Sequence, residues 1–275
     1  MSSVGAVSRL VVFGDVSGSG RLGMEAKKRM RNALYGAFDE AFAAVDIDPR
    51  GRHQEDRGDG ILTALDPGTP SSLMVGGWLE ALYQYLREHN AGSAQRLRLR
   101  IGMNAGPVLD DGRGLVGRAV DLACRLCDSP TAKRTMTDAP GSDLLLVVSD
   151  WLYVNVVAEG GRHVEPEHYV RTRVRFKETD ETAWLHIPRL PASTLSGLAG
   201  AAGAPDGGAP PDGGGAARQQ TGGGPTPGDG PPPPSTGRVI TAQGDLQYFE
   251  NNVMHGFTGI RKSRGPASPE PGEPA

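Results

Sequence analysis

Two aspartates carry the chemistry this chain could perform. Asp15 closes the apolar run "RLVVFGDV", and Asp59 sits between glycines in "HQEDRGDGIL". Taken singly, each reads as a turn residue. Gly-Asp-Gly between two extended segments is a hairpin signal, because Gly and Asp tolerate the positive φ that such turns demand. Taken together they are worth more. Mg²⁺ accepts one or two carboxylates and leaves its other positions to water and substrate phosphates, so two converging aspartates would suit it, or Mn²⁺. Whether they converge depends on the elements that bear them.

The pattern along the chain supplies those elements. Arg9 to Val16 reads as a buried strand. A long helix follows, with Met30, Leu34, Phe38, Phe42 and Val45 at three- and four-residue steps. "RHQED" and "ILTAL" flank the Gly-Asp-Gly turn as a hairpin. A second amphipathic helix, from about Ser71 to Glu88, uses Leu73, Trp78, Leu82 and Leu86. "RLRLRIGMNAG" alternates Leu97, Leu99, Ile101 and Met103 with Arg96, Arg98 and Arg100, a period-two strand with one buried face. The arginine face reads as solvated. "GPVLDDGRG" is a short hairpin or edge turn. "GRAVDLACRLCDS" is helical, "DLLLVVS" a strand, and "DWLYVNVVAEG" a helix with Asp150 as N-cap and Gly160 as stop. Trp151 is expected in the core. "VRTRVRFKETDETAWLHIP" closes the domain as a hairpin that packs Trp184.

The order is β-α-β-β-α-β followed by αβαββ. It predicts an α+β fold with a ferredoxin-like βαββαβ core, an antiparallel sheet with helices on one face. In that arrangement strand one lies beside strand three. Its C-terminal end then approaches the hairpin turn, and Asp15 and Asp59 meet.

Composition sets the limits of the domain. Gly (40) and Pro (22) are concentrated from Ser196 to Gly237, a stretch that buries too little to offset its ordering entropy. Residues 1–195 are therefore the expected globular domain, 196–237 a disordered linker, and 238–275 a tail. The formal charge of −3 and a pI of about 6.1 give no case for nucleic acid or membrane as a partner. No apolar run nears the roughly 20 residues that span a bilayer. The first residues lack the long apolar region of a signal peptide, so a cytoplasmic location is expected. Cys124 and Cys127 form a lone C-x-x-C, a poor zinc site without a second pair. They are expected to pack in the core.

Five segments resemble the class III nucleotide cyclase catalytic domain, the adenylyl and guanylyl cyclase fold. "VVFGDVSGSG" is similar to that family's first metal segment, with Ser19 and Gly20 replacing an aromatic residue and a threonine. "EDRGDGIL" is similar to the second, with Asp59 on its aspartate. "LRLRIGMNAGPV", "GLVGRAVDLACRL" and "VRFKETDETAWLHI" follow in the family's order. "EDRGDG", "VSDW" and "KET…TAW" are similar to an actinobacterial branch. The resemblance covers roughly Ser8 to Ile187. It implies a purine nucleoside triphosphate as ligand and two Mg²⁺ or Mn²⁺ ions per site, held by Asp15, Asp59 and the Val16 carbonyl. It places Arg125 on the α-phosphate and Lys177 on the β- and γ-phosphates, in a homodimer with sites across the interface.

Two positions depart from the family pattern. Asp121 stands where the family carries a transition-state asparagine, and an acid there repels phosphate. Glu55 stands at a base-reading position, where a carboxylate can accept from the guanine N1–H and amino group; its partner position falls at Gly114. The expected activity is cyclisation of GTP, or of ATP, with release of pyrophosphate. The alternative is a catalytically silent signalling or scaffold protein. The latter would act through residues 238–264, a β-prone segment suited to strand addition to a partner protein or to its own copies, with a faint resemblance to amyloid-type signalling motifs of bacterial immunity.

Overall fold

The structure, a computed structural model, describes residues 5–203. In chain order its regular elements are β1 (Val7–Val16), α1 (Met24–Ala43), β2 (Arg52–Asp56), β3 (Gly60–Leu65) and α2 (Ser71–Leu73). A π-helical turn, Met74–Trp78, joins α2 to α3 (Leu79–Gly92). Then come β4 (Leu99–Asp110), β5 (Leu115–Val116), α4 (Arg118–Asp128), α5 (Pro130–Asp138), β6 (Leu144–Ser149) and α6 (Asp150–Asn155). β7 (Val170–Phe176), β8 (Thr179–His186) and α7 (Ala192–Gly203) complete the described chain.

The sheet order is β2-β3-β1-β4-β6-β8-β7, with β5 paired to β4. β4 and β6 run parallel and the other neighbours antiparallel. The first four strands thus take the expected ferredoxin-like order, with β1 beside β3. The mixed α+β architecture and mostly antiparallel sheet follow the reading above.

The expected helical layer is α1 with α3. Leu34, Phe38 and Phe42 of α1 pack on Leu10, Val12 and Ile101, beneath Trp78 and Leu82. A second layer covers the opposite face: α4 over Val11, Leu62 and Ala64, and α5 with α7 over Leu145, Val147 and Val174. Its strand signal is plain once seen. All six residues of β6 are buried, as a strand covered on both sides requires. α5 went unread although Ser129-Pro130 opens it in standard fashion. The Ser129 hydroxyl accepts the Ala132 amide, and proline fills the first turn, where its missing N–H costs nothing.

Three expectations are overturned, the first of them by this second layer. Two of the three arginines at and just before the start of β4 do not face water. Arg100 is 6% exposed, and Arg98 donates to the carbonyls of Ser142 and Ala139, both at 2.8 Å, at the C-terminal end of α5. Only Arg96 stays on the surface, paired with Asp143. The cap of α6 is Ser149, whose hydroxyl accepts from the Leu152 amide; Asp150 instead accepts from the Trp184 indole at 2.9 Å. Trp151 is exposed, while Trp184 stacks on Tyr153 with ring centroids 3.5 Å apart. Both cysteines are free, Cys127 buried and Cys124 partly so.

α7 carries the chain past the expected domain boundary at residue 195, burying Leu195 and Ala199 against β7 and β8. The rest of the expected linker and the 238–275 tail lie outside the described residues.

Candidate functional site

The β2–β3 turn consists of Arg57, Gly58 and Asp59. Gly58 takes φ 82°, the left-handed conformation a three-residue hairpin loop requires. Arg31 of α1 grips the turn from outside through the Asp56 carboxylate and the Gly58 carbonyl. That guanidinium holds the Asp56 carboxyl down at about 2. Inside, the Val16 amide donates to the Asp59 carbonyl at 3.1 Å. The end of β1 and the hairpin turn are therefore bonded to each other, and the two aspartates are brought together.

Each aspartate already has a partner. Antiparallel register sets Arg100 directly opposite Asp15, and the two form a buried ion pair. Asp59 accepts from the Ser19 hydroxyl, in the short 3₁₀ turn after β1. Burial pushes the Asp15 carboxyl up to about 6; the Arg100 guanidinium pulls the other way, and the Asp59 and Asp128 carboxylates add to the rise.

Asp15, Val16 and Asp59 line a cleft of about 1040 Å³. Its other walls include Arg21, Arg98, Arg100, Arg125, Asp128, Lys133, Phe176 and Lys177. Lys133 pairs with Asp128, and the Lys177 ammonium lies 5.5 Å from the Phe176 ring centroid. Lys177 holds φ 53° in the β7–β8 turn, a conformation uncommon outside glycine and asparagine. Arg125 reaches the same turn and also lines a second cavity, of about 350 Å³, with Asn104, Arg118, Asp121, Trp151 and Glu181. Asp121 sits in the first turn of α4, where the helix dipole favours a carboxylate.

Five of the seven residues singled out from sequence thus share one cleft: Asp15, Val16, Asp59, Arg125 and Lys177. Asp121 lies in the neighbouring cavity. Glu55 lies outside both. Its carboxylate accepts from the Leu115 amide at 2.7 Å and pairs with Arg57 and His53. Gly114 is nonetheless its neighbour: a β-carbon there would stand 3.2 Å from Glu55 Oε1. Arg100, Ser19 and Glu178 were not read as site residues. Arg100 was missed because an alternating arginine strand looks like an outer face.

Among the described residues no group of three or more His, Cys, Asp or Glu side chains could hold a metal ion. Two carboxylates still suit Mg²⁺ or Mn²⁺, which keep waters and take phosphate oxygens. The raised Asp15 carboxyl bears on this fit. A raised pKa means the protonated acid suits the fold, so the stability tied to that proton is complete below the ordinary carboxylate range and lost as pH rises through about 6, above which the ionised carboxylate still neutralises Arg100. Cation binding runs the other way, because it needs the ionised form. Mn²⁺ affinity is expected to fall by roughly tenfold per pH unit below about 6 if one proton must leave. Calorimetric Mn²⁺ titrations at pH 7.5 and 5 would show it; equal affinities would remove Asp15 from the cation site.

Several solved structures are similar in fold. The guanylyl cyclase Cya2 aligns over 68% of this chain and 93% of its own at 19% identity, with a TM-score of 0.47. An adenylate/guanylate cyclase/hydrolase from Silicibacter pomeroyi aligns over 66% and 98% at 18% identity, TM-score 0.46. The guanylate cyclase domain of RhGC from Catenaria anguillulae, solved with GTP, aligns over 66% and 96% at 19% identity, TM-score 0.44. No protein-family model matches the chain, and no curated protein sequence matches it. Among the described residues no helix is long and apolar enough to cross a membrane.

Proposed function

We propose that the cleft binds a purine nucleoside triphosphate together with a divalent cation and cyclises it to a 3′,5′-cyclic nucleotide. The observation that carries the reading is one cleft lined by Asp15, Val16, Asp59, Arg125 and Lys177 together. A bound cation would neutralise phosphate charge and favour ionisation of the ribose 3′-hydroxyl. Asp15, Asp59 and the Val16 carbonyl are the groups that would hold it. The 3′-oxygen attacks the α-phosphorus in line, the bond to the bridging oxygen breaks, and pyrophosphate leaves. Lys177 meets charge on the β- and γ-phosphates. Arg125 meets the charge that grows on the α-phosphate, the class of interaction whose loss costs about 10²–10³ in rate elsewhere. The motif resemblance implies a different arrangement, a homodimer with the metal aspartates of one chain facing Arg125 of the other, and, through Glu55, guanine as the base. Reading guanine requires Arg57 to release Glu55.

Asp121 favours a second reading, nucleotide binding without turnover: it lines the neighbouring cavity that Arg125 also borders, and an acid near the α-phosphate that Arg125 would hold opposes the transition state. One assay separates the two. The purified protein is incubated with Mn²⁺ and each of GTP, ATP, CTP and UTP, and cyclic product is sought. Product from a purine nucleotide alone supports the cyclase; metal-dependent binding with no product supports the second reading; neither result leaves no nucleotide function. In the second reading residues 238–264 would recruit a partner protein or further copies of the chain. Deleting Arg238 onward should then abolish capture or assembly.

A further inference from the structure

We propose that Glu178 is an internal anion that competes with a nucleotide phosphate for Arg125. The inference rests on the nucleotide reading of the cleft. The Arg125 guanidinium donates through Nη2 to Glu178 Oε2 at 2.8 Å and through Nη1 to Thr179 Oγ1 at 3.0 Å. The arginine side chain is 19% exposed, the glutamate 60%. The cation is thus walled in, while its partner stands in water and gives up only an exposed pair by turning away.

A carboxylate and a phosphoryl oxygen make the same charge-assisted bond to a guanidinium. Glu178 holds that position on the Arg125 guanidinium. Lys177, one residue earlier, lines the same cleft. Glu178 itself lines the neighbouring cavity, which Arg125 also borders, so a polyphosphate that reaches Arg125 meets a guanidinium already held by a carboxylate, and like charges cannot share the guanidinium edge at low cost. Thr179 differs, because a neutral hydroxyl on Nη1 keeps the guanidinium oriented whether or not phosphate is present. Glu178 consequently lowers polyphosphate affinity by the worth of an exposed ion pair, about two- to fivefold.

A double-mutant cycle tests this. Wild type, Glu178→Gln, Arg125→Ala and the double variant are titrated with GTP in the presence of Mn²⁺ by calorimetry. Glu178→Gln should bind about two- to fivefold more tightly, and the gain should vanish when Arg125 is alanine. Equal affinities of wild type and Glu178→Gln would overturn the competition while leaving the nucleotide reading intact. Weaker binding by Glu178→Gln would show that the carboxylate orients Arg125, which also overturns it. A gain that survives in the Arg125→Ala background would be a diffuse charge effect and would count against it equally. Failure of wild type and every variant to bind GTP would remove the nucleotide reading, and the competition with it.

Discussion

Asp59→Asn should weaken Mn²⁺ binding on the order of a hundredfold or more, a loss at least as large as outer-shell changes cause at metal sites, and leave the melting temperature nearly unchanged. Asp15→Ala should lose the same binding and also unfold the domain more easily. The difference lies in what each carboxylate leaves behind. Asp59 is bonded to Ser19, and an amide at that position still accepts the hydroxyl. Asp15 neutralises Arg100, whose side chain is 7% exposed. Removing one member of a buried pair strands the other, at about 3–5 kcal/mol. For a domain of this size that is a fall of roughly 6–20 °C in Tm. Loss of activity in Asp15→Ala therefore does not by itself identify a ligand. Asp15→Ala combined with Arg100→Met separates the effects, since an apolar pair of similar volume often restores the stability that a broken ion pair loses. The double variant should melt near wild type and still fail to bind Mn²⁺. If it stays as unstable as Asp15→Ala, the ion pair is not what Asp15 contributes to the fold.

The same pair shows how far the sequence could be read. The meeting of Asp15 and Asp59 was legible because it needs only strand order: β1 beside β3 fixes Asp15 opposite Gly60, one residue beyond Asp59. What faces β4 was not legible. Leu97, Leu99 and Ile101 announce one buried face, and alternation then assigns Arg98 and Arg100 to water. That inference fails when a second helical layer lies on the polar face and the arginines find partners beneath it. Arg98 finds carbonyls at the end of α5 and Arg100 finds Asp15. A buried arginine has no sequence signature of its own; its burial depends on a partner fixed by register 85 residues away. Glu55 is the converse. Gly114 does lie beside it, yet Leu115, Arg57 and His53 occupy the carboxylate that was expected to read a base.

Gly102→Ala is expected to damage both stability and the cleft, because this glycine sets how closely α4 approaches the sheet. A β-carbon at residue 102 would stand 2.1 Å from the Ala123 carbonyl oxygen and 2.8 Å from the Cys127 amide nitrogen. Both are backbone atoms of α4, so no side chain can turn away to make room. α4 must move outward by about 1 Å to restore ordinary contact. Overpacking of this kind costs about 1–3 kcal/mol or more, seen as a lower Tm. The helix carries Asp121 and Arg125, and Cys127 donates to the Arg100 carbonyl at 3.1 Å, so the shift also reaches the strand that holds Asp15. A displacement of 1 Å in a positioning element can cost about 10²-fold in rate. Gly106→Ala is the internal comparison. It lies under the same helix, but its β-carbon would meet only the Ala119 side chain, at 3.2 Å, and should cost much less. Thermal melts and Mn²⁺-dependent nucleotide titrations of the two variants test the argument. Equal effects would mean that α4 yields without cost and that its spacing from β4 does not set the position of Arg125.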